Sequence, residues 1–230
     1  MSKRMLEIEK KIDKNKFYDL KEAIELLKEI KKTKFDETVE VHINLGIDPK
    51  QSTQIVRGAV VLPHGIGKQV RVCVLAKGEK LKEAQQSGAE YCGSEELIEK
   101  ISKGWLEFDV LIATPDMMKD LAKLGKILGP KGLMPNPKTG TVTNDVIKTV
   151  QEVKKGRVEF RNDDYGIVHC RVGRISFDTE KLVENIQALI ETILKLKPPQ
   201  SKGEYIKRMH ICTSMGPGIK INIASLIKKK

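Results

Sequence analysis

The chain of 230 residues has room for one large or two modest domains, and 40% hydrophobic residues can build packed cores, which excludes wholesale disorder. Its 42 Lys and Arg outnumber 31 Asp and Glu, giving a formal charge of +11 that favours polyanions as partners. Aromatics are only 4%, which argues against serial base stacking and leaves backbone shape and phosphate charge as the means of holding a nucleic acid.

Alternating Lys and Glu predict a solvated helix from Lys3 to Lys14. A second helix fits Leu20 to Lys32: Leu20, Ala23, Ile24, Leu27 and Ile30 recur at helical spacing, and Asp19 with Glu22 forms a capping-box pattern. Val39, Val41, Ile43 and Leu45 then alternate with polar residues, the mark of a strand with one buried face. From Gln69 the pattern changes. The run VRVCVLA is nearly continuous in apolar residues, as in a strand buried on both faces of a parallel sheet. Helix patterns follow at Glu79–Ser87, Ser94–Lys103 and Asp116–Leu124, with a short apolar piece at Tyr91-Cys92 and a second buried strand in DVLIATP. A last helix starts at Asn144 or Asp145 and runs through Val153. Strands and helices alternating at this spacing predict a small doubly wound α/β unit.

Within that unit, LGPKGLMPNPKTG (Leu128 to Gly140) holds three Gly, three Pro and two Lys. Pro removes backbone donors and Gly admits positive φ, so the segment is expected to be a shaped loop with Lys131 and Lys138 facing outward.

After Gly156 alternation returns. RVEFRN and GIVHCRVGRISF read as an antiparallel pair joined by a turn at Asp163-Asp164-Tyr165-Gly166. An amphipathic helix spans Thr179 to Leu196, ended by Pro198-Pro199. Two strand-like pieces, YIKRMHICTS and GIKINIAS, flank a tight turn at Met215-Gly216-Pro217-Gly218. The two ends thus share one style and the middle has another. The economical organisation is α/β (α+β): a discontinuous first domain, 1–65 plus 157–230, carries an inserted domain, 66–156, on a two-strand hinge. The insert has 15 basic and 12 acidic residues, net +3, leaving 27 and 19, net +8, for the discontinuous domain, which is therefore the expected polyanion binder. The terminal Lys228-Lys229-Lys230 run reads as a solvated tail.

Catalytic chemistry is hard to find. Lys77-Gly78-Glu79-Lys80 follows the first buried strand where a dinucleotide site needs GxGxxG, and His64-Gly65-Ile66-Gly67-Lys68-Gln69 lacks the upstream Gly and the Ser/Thr of a Walker loop. No GxSxG elbow occurs, and the carboxylate pairs Glu95-Glu96 and Asp163-Asp164 read as a helix start and a turn. Cys73, Cys92, Cys170 and Cys212 stand apart with no CxxC pair, and neither His169-Cys170 nor His210 with Cys212 fits a metal ribbon or finger. Cys73, Cys170 and Cys212 are expected as small buried hydrophobes in strands. No metal, cofactor or disulfide is expected. No apolar run approaches a membrane span and the first residues lack a signal-peptide core, so a cytoplasmic location is expected. The alternative, a nucleotide- or phosphometabolite-binding enzyme, would use the α/β insert.

A binding reading has more material. Lys34, Phe35, Thr38 and Glu40 lie at the first strand, while Arg157, Glu159, Arg161 and Asp163 alternate along another and are expected on one face. Thr213, Ser214, Met215, Gly216, Pro217 and Gly218 form a turn whose Gly residues admit a close backbone and whose hydroxyls suit ribose 2′-OH groups.

KFDETVEVHINLGID, LPHGIGKQVRVCVLAKG, GWLEFDVLIATPDMM, KLGKILGPKGLMPNPKTGTVT, RVEFRND and TSMGPGIKIN, in this order, resemble the ribosomal protein L-one family over nearly the whole chain. The resemblance implies an antiparallel-sheet α+β domain with an inserted Rossmann-like three-layer α/β domain, and no enzyme activity. It implies a protein of the 50S subunit, monomeric when free, that binds the mobile stalk of large-subunit (23S) ribosomal RNA beside the E-site tRNA and assists its release. It also implies repression of translation by binding the messenger of its own operon. The RNA face implied is Lys34, Phe35, Thr38, Arg161, Asp163, Ser214, Met215 and Gly216; the turn reading adds Thr213 and Gly218, and the Pro/Gly loop offers Lys131 and Lys138 as a second contact to RNA or tRNA. Two positions depart from the family pattern: Ser214 where Thr is usual, and Arg208 where a small polar residue is expected.

Overall fold

A computed structural model describes residues 3–201 and 203–227, so the lysines at 228–230 lie outside the described residues. The elements are, in chain order, α1 (Lys3–Glu9), α2 (Leu20–Ile30), β1 (Thr38–Leu45), β2 (Arg57–Val61), β3 (Val72–Leu75), α3 (Glu79–Gln86), β4 (Tyr91–Gly93), α4 (Glu95–Ser102) and β5 (Val110–Ala113). There follow α5 (Met118–Ala122), α6 (Gly125–Leu128), α7 (Val146–Lys155), β6 (Arg157–Arg161), β7 (Ile167–Arg174), α8 (Thr179–Lys195), β8 (Ile206–Thr213), β9 (Ile219–Lys220) and α9 (Ile223–Ile227). By its contacts the chain separates into two units, Met1–Gly67 with Val158–Lys230, and Lys68–Arg157.

In the first unit the alternation of TVEVHINL decides the sheet. Val39, Val41, Ile43 and Leu45 are at most 2% exposed, and β1 runs antiparallel between β7 and β8, with β9 beyond β8. Burying each such side chain contributes roughly 1.5–3 kcal/mol. Helices α2 and α8 pack together and against β8 and β7. Their buried stripes are the ones their spacing predicts, Leu20 to Ile30 and Leu182 to Ile193. The other face of the sheet stays open, with Thr38, Glu40, His42 and Asn44 half-buried and His169 and Arg171 exposed.

Several local expectations change. Helix α1 stops at Glu9, not Lys14, and Ile8 and Ile12 are buried, so it is not a wholly solvated helix. Asp19 makes no side-chain cap, and the Glu22 carboxylate receives Lys16 Nζ at 2.6 Å. The expected hairpin of β6 with β7 does not form. Strand β6 pairs with β2 in a separate two-stranded sheet, and β7 pairs with β1. Buried Asn162 explains the switch: its Oδ1 accepts the Val56 N–H at 2.8 Å and its own N–H donates to the Val56 carbonyl at 3.0 Å. Only an isolated bridge, Asn162 with Val168, joins β6 to β7. Of GIKINIAS, only Ile219 and Lys220 are strand, since Asn222 Oδ1 accepts the Ala224 N–H and starts α9.

The second unit is three layers. Its parallel sheet, in the order β4-β3-β5, has every residue of β3 buried. Alternate residues feed two cores: Cys73, Leu75, Leu111 and Ala113 pack with α4, α5 and α6, while Val72, Val74 and Ile112 pack with α3 and α7. The helix expected over Asp116–Leu124 is broken into a 3-10 turn at Pro115–Met117 and the short α5, with α6 following. The Pro/Gly loop is held by its own turns. Asn136 Oδ1 accepts the Lys138 N–H at 2.8 Å, and Arg157 Nη2 donates to the Thr139 carbonyl at 2.6 Å. Gly140 has φ +70°, and a Cβ there would strike the Arg157 guanidinium.

Candidate nucleic-acid interface

The pairing of β1 with β8 brings two distant segments together. Val39 faces Thr213, so the approach to β1 lies beside the turn that leaves β8. Ser214 N–H donates to the Thr38 carbonyl and Ser214 Oγ accepts the Thr38 N–H, both at 3.1 Å. Beneath them Glu37 is 2% exposed and accepts from the Thr33 hydroxyl and the Met215 N–H. Burial opposes its charge, yet hydrogen bonds from Thr213, Thr33 and Met215 outweigh it and hold the Glu37 carboxyl below the usual range. Arg4 Nη2 adds a bond to the Met215 carbonyl at 2.9 Å.

Above this support the surface is open. Lys34 and Ser214 are exposed, and Phe35 and Met215 are 53% and 50% exposed, so neither is a core side chain. Thr38 is half-buried, its hydroxyl 3.4 Å from Arg174 Nη1. Thr213 is only 4% exposed, and its side chain bonds inward to Glu37 and supports the turn. Gly216 is required by Thr213, whose hydroxyl a Cβ would strike, whereas Gly218 borders open space.

Arg161 and Asp163 lie elsewhere on the unit. Thr38 pairs with Arg174 at one end of β1, while Asn44 pairs with Ile167, which bonds to Asp163 N–H, at the other. Six residues of extended strand span about 20 Å. Arg161 is exposed at the end of β6, but Asp163 is past the strand and shapes the turn, accepting N–H bonds from Ile167 at 2.7 Å and Tyr165 at 2.9 Å. Burial opposes it, yet those bonds and His169 lower the Asp163 carboxyl. Arg157 starts β6 on the side opposite buried Val158 and Phe160, as expected, but its guanidinium is tied to Glu152 and Thr139.

Between the two ends runs the open sheet face, of which Glu40 is the residue the first strand already marked for binding. Exposed Arg171 and His169 on β7 flank Glu40 and His42 on β1. His42 faces His210, and Asn44 faces Arg208, on β8. The signal was available: these are the polar halves of the same period-two patterns that marked the strands. Burial and the His169 imidazole lower the His42 pKa against Glu40. Cys212 is half-buried on this face, not a core residue like Cys73 and Cys170, and burial with Glu40 and Glu37 pushes its thiol up to about 11. Arg208, Lys207, His210, Lys220 and Phe17 line a basic hollow of about 560 Å³ at the sheet edge. In the second unit Lys131 and Lys138 are both exposed on the Pro/Gly loop.

Residues 27–217 match the Ribosomal protein L1p/L10e family, a span that includes Thr38, Ser214 and the whole Pro/Gly loop. The chain belongs to this family. It is accordingly a ribosomal protein that binds ribosomal RNA in the large subunit, in a family of structural RNA-binding proteins and not of enzymes. Among the described residues no helix is long and apolar enough to cross a membrane.

Proposed function

We propose that the first unit is the RNA-binding domain and that it docks the stalk of large-subunit ribosomal RNA on Lys34, Phe35, Thr38, Ser214, Met215 and Gly216. Arg161 contributes a phosphate contact further along the same unit, Asp163 shapes the adjoining turn, and Gly218 leaves room for a close backbone. The observation that carries this reading is the reciprocal Thr38–Ser214 bonding, which sets an exposed aromatic and an exposed thioether on a braced, cation-rich edge. A surface with few aromatics is suited to reading ribose and phosphate shape. On the same reading the protein assists E-site tRNA release, with Lys131 and Lys138 of the Rossmann-like unit as the second RNA or tRNA contact. It also represses its own operon when the messenger folds like the stalk, and it is monomeric when free.

Footprinting of the purified chain on total ribosomal RNA tests the target, with protection expected on one stalk-like helix and bulge. Affinity should fall steeply as salt rises, since phosphate contacts release counterions. Protection scattered over the RNA would remove the site-specific reading. Stabilisation by a mononucleotide in the absence of RNA would move function to the α/β unit.

A further inference from the structure

Pairing of β1 with β8 places Glu40 opposite Cys212, and His42 follows Glu40 on the same open face. The carboxylate, the imidazole and the thiol each bring a ligand atom within 4.8 Å of the other two. His42 Nε2 lies 3.2 Å from Cys212 Sγ. For tetrahedral zinc, with Zn–N about 2.0 Å and Zn–S about 2.3 Å, the N···S edge is about 3.5 Å, so this edge needs only a few tenths of an ångström of spreading, and the Glu40 carboxylate lies within 4.8 Å of both atoms.

The second ring nitrogen of His42 is also provided for. His42 Nδ1 is 2.7 Å from His169 Nδ1, and His169 Nε2 is 3.3 Å from Asp163 Oδ2. One assignment gives every donor an acceptor. Cys212 S–H donates to His42 Nε2, His42 Nδ1–H donates to His169 Nδ1, and His169 Nε2–H donates to the Asp163 carboxylate. This relay holds His42 in the tautomer whose Nε2 lone pair faces the thiol. A metal-bound histidine needs the same thing, a fixed ring whose other N–H is held by a polar partner. An ion entering here takes the place of the thiol proton, which leaves to solvent, and the rest of the chain of bonds is unchanged.

We propose that Glu40, His42 and Cys212 form a three-ligand site for a thiophilic divalent metal of the zinc class. The fourth position is open to water, and His169 with Asp163 acts as the positioning pair behind His42. A thiolate and an imidazole select zinc-like ions over magnesium or calcium, which take all-oxygen sets. The site does not rest on the RNA reading, although Glu40 is two residues from Thr38 on the same face.

Cobalt(II) titration of the reduced, metal-free full-length chain tests the site. The expected result is one equivalent bound, with a thiolate-to-cobalt charge-transfer band in the near ultraviolet, tetrahedral visible bands, and displacement of both by zinc. Cys212→Ser should abolish the charge-transfer band, while Cys92→Ser should retain it in full. His169→Ala should keep the band but weaken affinity roughly 10-fold or more, as loss of a positioning partner does. Absence of a charge-transfer band in the wild-type chain at stoichiometric cobalt overturns the proposal, and so does a band that survives Cys212→Ser. Because the wild-type titration alone can give the first of these results, a variant that fails to fold does not shield the proposal.

Discussion

Ser214 and Thr38, 176 residues apart in sequence, exchange two hydrogen bonds at 3.1 Å, one through the Ser214 backbone N–H and one through its hydroxyl. The serine therefore serves structure as well as surface. Ser214→Ala is expected to cost about 1 kcal/mol of stability by leaving the Thr38 N–H without this acceptor. The cleaner probe of binding is Phe35→Ala with Met215→Ala, since both side chains are half exposed. That pair should lower affinity for stalk RNA about tenfold or more in filter binding. The unfolding free energy should stay within about 0.5 kcal/mol of wild type. Unchanged affinity would remove these two residues from the interface.

Glu37 is the buried anion on which the loop at Thr33, the strand end at Thr213 and the turn at Met215 converge. Glu37→Ala should destabilise by about 2–3 kcal/mol in urea unfolding, because several donors lose their acceptor at once. The carboxyl is held below its ordinary value. Its contribution is thus complete above the unfolded pKa and is lost as pH falls through the lower folded value. Glu37→Gln should flatten that part of the acid-unfolding profile.

Asn185 has no exposed surface, yet it is fully engaged: Oδ1 accepts the His64 N–H at 3.0 Å, and Nδ2 donates to the carbonyls of Gly65 at 3.0 Å and Val172 at 2.8 Å. It ties α8 to β7 and to the chain at His64-Gly65. Asn185→Leu leaves the buried Val172 carbonyl and the part-buried His64 N–H and Gly65 carbonyl without this partner and should cost about 1–3 kcal/mol. A denaturant midpoint equal to wild type would show that water replaces the amide.

Asp109 in the α/β unit accepts from the Arg71 N–H at 3.1 Å, from Arg71 Nε at 3.2 Å and from Lys68 Nζ at 3.0 Å. Burial raises its pKa, but the Arg71 N–H, Lys68 and the Arg71 guanidinium outweigh it and bring the carboxyl down to about 2. A depressed carboxylate stabilises above its unfolded value and loses that contribution as pH falls from about 4 towards about 2. With Lys68 and Arg71 half exposed, about 1 kcal/mol is the expected size. Asp109→Asn should remove this step from thermal melts taken across that range.

Periodicity carried far in this chain. The stripe of α2, the stripe of α8, the alternation of β1 and the buried run of β3 were all legible, because each pattern reports which side of one element meets the core. Strand β2 was not, since Ala59 and Val61 are apolar on its outer side and erase the period of two. The turn at Asp163–Gly166 was legible from its residues, but its strand partners were not. A turn sequence bends the chain without choosing the ladder, and here buried Asn162 hands β6 to Val56.

Sequence by itself determined the net positive field, the helical and strand faces, the braced Pro/Gly loop and the family. Local patterns and composition suffice for these, because each depends on neighbours along the chain. Only the tertiary structure decided that Thr213 turns inward to Glu37 while Phe35 and Met215 turn outward. It alone joined Glu40 and His42 to Cys212 across about 170 residues. Strand register makes such meetings, and a shift of one residue would send every one of these side chains to the opposite face.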